Sequence, residues 1–275
     1  IKIDTNKYLY LFDAHHIIMD AYSYNVFKSE LFGAYQGQNI QTEKVQMKDF
    51  AEYQAANVNS DVYLAQKAFW MDNLAGELPV DAYPVDYKHS NETGYEANTY
   101  SFELNEELTN KIKQLAKSNS VTAFPVIMSA LMFTLYKCAR NEDVIVGMAS
   151  MGRNNASLSN TIGMFVNNLP IRTAPKSNES VIGLIKQVNQ SIYSAMANQE
   201  FPLEDIVNAL KIPRDLSRSP IFDIVFSYMN FEHSEADGEK IIAEKFDSDV
   251  SLTSEYDIMF YGMEYATTTG FTLKY

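Results

Sequence analysis

Apolar residues follow two rhythms along this chain. Lys7-Tyr-Leu-Tyr-Leu-Phe12 is a strand-like run, and residues 8–14 read as a buried strand. After residues 15–20 the spacing changes, and Val26, Phe27, Leu31 and Tyr35 fall on one side of a helix. Two further helical segments are predicted over 47–56 and 62–74. The periodicity lapses over 76–94, where Pro79, Pro84 and Gly94 interrupt it. That stretch predicts a boundary between a first domain, 1–94, and a second, 95–275.

The second half alternates between the two periods. Strands are expected over 97–104, 144–149, 165–172, 221–228, 256–261 and 271–275, with helices over 106–117, 122–139 and 180–197. Strands and helices mix throughout, which places the chain in the α/β class. No internal repeat or low-complexity tract appears in the sequence. The longest apolar run, 123–133, contains Pro125 and Ser129 and falls short of the ~20 residues needed to span a bilayer, so no transmembrane segment is expected.

Composition narrows the partners. The chain has 275 residues, 46% of them hydrophobic, enough to fill a core in one large or two ordinary domains. Its 22 basic and 35 acidic residues give a formal charge of -13. Neutralising phosphates takes clustered Lys and Arg, so neither nucleic acid nor an anionic membrane is an expected partner. The one cysteine, Cys138, sits in an apolar stretch and reads as a packing residue; with no second cysteine in the chain, a reducing, cytoplasmic setting is expected. The sequence opens at Ile1 almost directly into a strand and ends in strand-like alternation, as a segment of a longer polypeptide would.

The stretch with the most chemistry is Asp13-Ala-His-His-Ile-Ile-Met-Asp-Ala-Tyr-Ser23, which sets His15 and His16 at a strand-to-helix turn and Asp20 four residues after His16. A neutral imidazole accepts a proton from an attacking nucleophile near pH 7, the task acyl transfer requires. Asp20 suits a supporting role, capping a helix start or pairing with a distant arginine. Two plainer readings stand beside this one: a histidine pair that only satisfies backbone groups, or His16 and Asp20 as two ligands of a metal. For a metal, only His89 and His233 remain as further histidines, both in polar, loop-like surroundings, and no metal is expected.

The same stretch resembles the His-His-x-x-x-Asp-Gly motif of the condensation-domain superfamily of nonribosomal peptide synthetases, related in fold to chloramphenicol acetyltransferase, with Ala21 where glycine is usual. Four later segments resemble further elements of that family, in its order. Met47-Lys-Asp-Phe-Ala-Glu-Tyr-Gln54 looks like Tyr-x-Asp-Tyr-Ala-x-Trp-Gln, and Ile162-Gly-Met-Phe-Val-Asn-Asn-Leu169 is similar to Gly-x-Phe-Val-Asn-Thr-Leu. Asn198-Gln-Glu-Phe-Pro-Leu-Glu204 resembles His-Gln-Asp-x-Pro-Phe-Glu, and Arg214-Asp-Leu-Ser-Arg-Ser-Pro-Ile-Phe222 is close to Arg-Asp-x-Ser-Arg-x-Pro-Leu-Phe.

The resemblance implies a two-lobed sandwich of the acetyltransferase type with its first lobe incomplete, because the family's upstream elements are not in this sequence; activity is expected of the complete domain. It implies amide-bond formation between a donor acyl or peptidyl thioester and an acceptor aminoacyl thioester. Both are tethered by phosphopantetheine arms to peptidyl carrier domains, with an adenylation domain in the same polypeptide and no tightly bound cofactor. His16, with His15, is the implied catalytic histidine, and the Ala21 N–H is placed near the developing oxyanion. Asp20 is implied to pair with Arg153, while Asn167, Arg214 and Asp215 give structural support. The glutamate of epimerisation domains is absent from Ala149-Ser-Met-Gly-Arg-Asn154, and the aspartates of heterocyclisation domains do not replace His15 and His16. The rival readings are a non-catalytic carrier-docking module and a coenzyme A dependent acyltransferase.

Overall fold

At several helix starts in this chain a side chain accepts a first-turn N–H group. Asp20 Oδ1 takes Ser23 N at 2.7 Å, Asn105 Oδ1 takes Leu108 N at 2.9 Å, and Ser180 Oγ takes Gly183 N at 3.0 Å. The computed structural model describes residues 1–5, 7–79, 83–85, 96–139, 141–213, 215, 217–229 and 253–275. Two compact units are present, Ile1–Leu64 with Met151–Asn167, and Ala65–Ser150 with Asn168–Tyr275.

In the first unit β1 (Lys2–Asp4) pairs antiparallel with β2 (Lys7–Tyr8), and α1 (Ala21–Tyr35) and α2 (Met47–Asn57) follow. The returning segment Met151–Asn167 joins them through Thr161 Oγ1, which donates to Val45 O at 2.9 Å, and through the Phe165 ring, 5.0 Å from that of Phe50. The strand expected over 8–14 is in a ladder only at its first residue. Its remainder is without assigned secondary structure, and Tyr8, Tyr10 and Leu11 are exposed. A run apolar on both faces is stabilised as a strand when neighbours flank both edges, and among the described residues only β1 and the preceding Ile1, which exchanges two hydrogen bonds with Leu9, pair with it.

The second unit begins within α3 (Asp61–Asn73), which the unit boundary crosses. Trp70 and Leu74 are fully buried; Trp70 Nε1 donates to Asn198 O at 2.8 Å, and Gln66 Oε1 accepts from Phe201 N at 3.0 Å. Those contacts tie the end of α3 into this unit. After β3 (Thr99–Leu104) come α4 (Glu106–Ser118), α5 (Ala123–Ala139), β4 (Val144–Ser150), β5 (Asn167–Thr173), α6 (Val181–Ala197), α7 (Leu203–Leu210), β6 (Ile224–Met229), β7 (Ile258–Glu264) and β8 (Thr269–Lys274).

The six strands form one mixed sheet in the order β3-β8-β7-β6-β4-β5, with β4, β6 and β7 parallel and β8 antiparallel to both neighbours. Helices cover the face that carries Phe226. Phe124 of α5 lies 5.2 Å from the Phe226 ring and 5.7 Å from that of Tyr228, and Lys113 of α4 reaches Glu264 of β7 at 2.9 Å. Met128, Met132, Ile145, Val146, Leu169, Ile171, Ile185 and Val188 are fully buried. This is the α/β class predicted from the sequence. Helix α7 was not anticipated, because eight residues starting after Pro202 leave little room for a period to show. Cys138, expected inside, is exposed: in the last turns of α5, Leu135 and Tyr136 face inward and turn Cys138 outward with Lys137. Among the described residues no single helix is long and apolar enough to cross a membrane; α4 and α5 together reach that length and composition but are bent by 106°.

Arg172 of β5 gathers the segment after α3. Its Nε and Nη2 hold Asp143 at 3.0 and 2.6 Å, and Nη1 and Nη2 donate to the carbonyls of Asn73, Ala75 and Glu77 at 3.2, 2.8 and 3.2 Å. Only a planar fork with five donors serves all of these groups at once. Replacing Arg172 by Lys keeps the charge and loses most of the bonds. The expected result is a loss of about 1.5–3 kcal/mol in urea-unfolding free energy, and an unchanged unfolding midpoint would contradict the clamp.

Candidate active site

The histidine turn is built by short-range hydrogen bonds. His15 Nδ1 accepts from Ile17 N at 3.1 Å, which leaves the ring proton of a neutral His15 on Nε2. Ile18 N donates to His15 O at 3.1 Å and Met19 N to His16 O at 3.2 Å, closing a one-turn 3-10 helix over His16–Ile18. The His16 ring is exposed and has no hydrogen-bond partner among the described residues. It is thus available to a group arriving from outside.

Asp20 ends this turn and caps α1, with a side chain that has no exposed surface. Its Oδ1 accepts from Ser23 N at 2.7 Å and its Oδ2 from Phe165 N at 3.1 Å, while Arg153 Nη2 stands 3.3 Å from Oδ1. Burial by itself would raise the carboxyl pKa. The bonds from Ser23 and Phe165 and the charge of Arg153 outweigh burial and hold it below 3.8.

The Arg153 side chain is nearly enclosed as well, with 5% of its surface exposed. Nη1 donates to Leu158 O at 2.5 Å and Thr161 O at 2.7 Å, and Nη2 donates to Ser23 Oγ at 2.7 Å. Its guanidinium lies over two rings, 4.2 Å from the centroid of Phe165 and 4.7 Å from that of Tyr22. Two glycines lie at close approaches nearby. Gly152 has φ +64°, and a Cβ there would fall 1.8 Å from Phe165 O; at Gly163 a Cβ would meet Met47 Sδ at 2.6 Å.

The structure therefore brings His15, His16, Asp20, Ala21 and Arg153 into one unit. Ala21 is the first residue of α1, and its N–H lies ahead of the first intrahelical bond, Tyr24 N to Asp20 O. Asn167 opens β5, half-buried. In the second unit Asn168 Nδ2 donates to Tyr256 OH at 2.9 Å, and Asp215 Oδ1 accepts from Ser217 N and Oγ at 2.8 and 2.7 Å. Arg218 pairs with Asp223. Arg214, His89 and His233 lie outside the described residues. Among the described residues no group of three His, Cys, Asp or Glu is placed to hold a metal ion.

Sequence reasoning missed Ser23, Gly163, Phe165 and Tyr22 as parts of this site. A signal for Ser23 exists: it stands three residues after the capping aspartate and four before Phe27, a polar residue on the face that α1 buries.

A lowered native pKa gives the sign of the pH response. The stabilisation from ionised Asp20 is complete above 3.8 and lost as pH falls through the lowered native value. The difference in unfolding free energy between the wild type and Asp20→Asn is expected to stay level above about pH 5 and to shrink in more acid solution. A difference that widened toward acid pH would mean a raised pKa and contradict the network.

A family model described as "Condensation domain" matches residues 1–275. The chain is 33% identical over 275 residues to bacitracin synthase 3 of Bacillus licheniformis, covering 100% of this chain and 4% of that protein. To surfactin synthase subunit 1 of Bacillus subtilis it is 36% identical over 230 residues, 84% of this chain and 6% of the relative. Its fold matches the X-domain from teicoplanin biosynthesis with a TM-score of 0.82 at 20% identity, covering 95% of this chain and 62% of that one. It matches VibH, a nonribosomal peptide synthetase condensation enzyme, with a TM-score of 0.72 at 21% identity, covering 95% and 60%. The chain thus spans a small part of its curated relatives and about three-fifths of the solved chains. By the match along its whole length, the chain belongs to the condensation-domain family of nonribosomal peptide synthetases.

Proposed function

We propose that this chain is the larger part of a catalytic condensation domain, joining a donor acyl or peptidyl thioester to an acceptor aminoacyl thioester as an amide. Residues 1–94 are the remainder of the first acetyltransferase-like lobe and residues 95–275 the second. The observation that carries the reading is the exposed imidazole of His16 on a turn anchored by a buried carboxylate. A ring meant only for packing would be enclosed.

Both substrates arrive on the phosphopantetheine arms of peptidyl carrier domains, charged by an adenylation domain in the same cytoplasmic polypeptide. Holding amine and carbonyl in attack geometry is the main source of rate, worth up to roughly 7–11 kcal/mol. The amine nitrogen attacks the thioester carbonyl, the C–N bond forms and the C–S bond breaks. His16 accepts the amine proton and the departing thiolate takes one up, so charge balances. No covalent enzyme intermediate is needed. The Ala21 N–H, at the positive end of the 15-residue α1, faces the developing oxyanion, and a methyl in place of glycine's hydrogen keeps that donor. Asp20 and Arg153 hold the turn, and Asn167, Arg214 and Asp215 are assigned structural support.

The test uses the full-length parent with both carriers loaded and follows amide product by mass spectrometry. His16→Ala is expected to slow product formation by about 100-fold or more, the range of a lost acid–base group, with carrier loading unchanged. Full amide-forming rate in that variant would overturn the assignment. A wild type that binds both carriers and makes no amide would establish the docking module, and efficient use of free acyl coenzyme A would establish the other rival.

A further inference from the structure

We infer that Ser23 is a positioning residue of this site: its hydroxyl, rather than the Asp20 carboxylate, is the closer anchor of Arg153, and through it the turn that presents His16 is held. The inference rests on the condensation reading only for its kinetic consequence.

Ser23 is completely buried, so its hydroxyl must find partners inside the protein. It has one proton and two lone pairs, and all three are used. Oγ donates to Gly163 O at 2.8 Å and accepts from Gly163 N at 3.0 Å and from Arg153 Nη2 at 2.7 Å. The comparison with Asp20 is one of distance. At 2.7 Å the Ser23–Arg153 contact lies in the range of short, charge-assisted bonds, whereas the 3.3 Å from the same Nη2 to Asp20 Oδ1 lies beyond the usual N–H···O range. Asp20 meanwhile gives each of its oxygens to a backbone N–H, those of Ser23 and Phe165.

One peptide group receives both ends of the first turn of α1. Gly163 O accepts from Asp20 N at 3.2 Å and from Ser23 Oγ. Asp20 follows Met19, whose N–H closes the turn on His16 O. A shift of Ser23 therefore moves residue 20 and, through one tight turn, residue 16. Arg153 cannot compensate by sliding toward Asp20 without leaving Leu158 O, Thr161 O and the two rings.

Two readouts test this. In the chain itself, the rate at which diethyl pyrocarbonate modifies His16 is followed by peptide mass spectrometry, with His89 and His233 as internal controls. Ser23→Ala, with Asp20 and Arg153 intact, is expected to change the His16 rate while the controls keep theirs. In the full-length parent it is expected to lower kcat by about 10- to 100-fold, the penalty of a misplacement near 1 Å, with KM for the loaded carriers unchanged. Ser23→Cys, of similar volume with a weak S–H, is expected to fold and to fall between alanine and wild type in both. Wild-type His16 reactivity and wild-type kcat in folded Ser23→Ala or Ser23→Cys would overturn the inference. Altered His16 reactivity in a parent whose wild type makes no amide would leave Ser23 as the anchor and remove the condensation reading.

Discussion

A carboxylate with no exposed surface has to be surrounded by donors, and the arrangement of the histidine unit follows from meeting that need at Asp20. The donors come from three separate places in the chain: the first turn of α1, the backbone at Phe165, and the side chain of Arg153. Burying an ion without them would cost several kcal/mol. With them, the carboxylate instead specifies where the returning segment must lie. Gly152 is the steric counterpart, since the backbone at Phe165 approaches there more closely than any Cβ permits.

The second unit meets a similar demand with other residues. Arg172 draws three carbonyls at and just beyond the end of α3 onto the sheet edge, and Trp70 and Gln66 hold the turn between α6 and α7. In both units a side chain with several donors satisfies backbone groups that no helix or ladder reaches. The apolar core supplies most of the stability, and these polar nodes set which loop goes where.

Much of this was legible before the structure. Long periodic segments such as α5 and α6 and the alternating strands of the sheet match their predicted spans within a few residues, because the apolar pattern there is local and strong. The histidine turn and the Asp20–Arg153 pairing followed from motif resemblance. What escaped were features with no local period: the short α7, the outward Cys138, and the largely unpaired run after Tyr8, whose apolar pattern speaks of neighbours and not of its own conformation. Ser23 escaped because a serine in a helix reads as solvated. Its burial depends on a partner 130 residues away in sequence, a pairing no window can see.

Asp20, Ser23 and the backbone of residues 163–165 form one cooperative unit, on which the presentation of His16 depends. Amide hydrogen exchange of Ser23, Gly163 and Phe165 in the wild type and in Asp20→Ala tests this most directly. Slow exchange is predicted at all three amides in the wild type, with a joint loss of protection in the variant, Gly163 included although it does not touch the carboxylate oxygens. Protection at Gly163 and Phe165 that persisted once Asp20 was gone would contradict it.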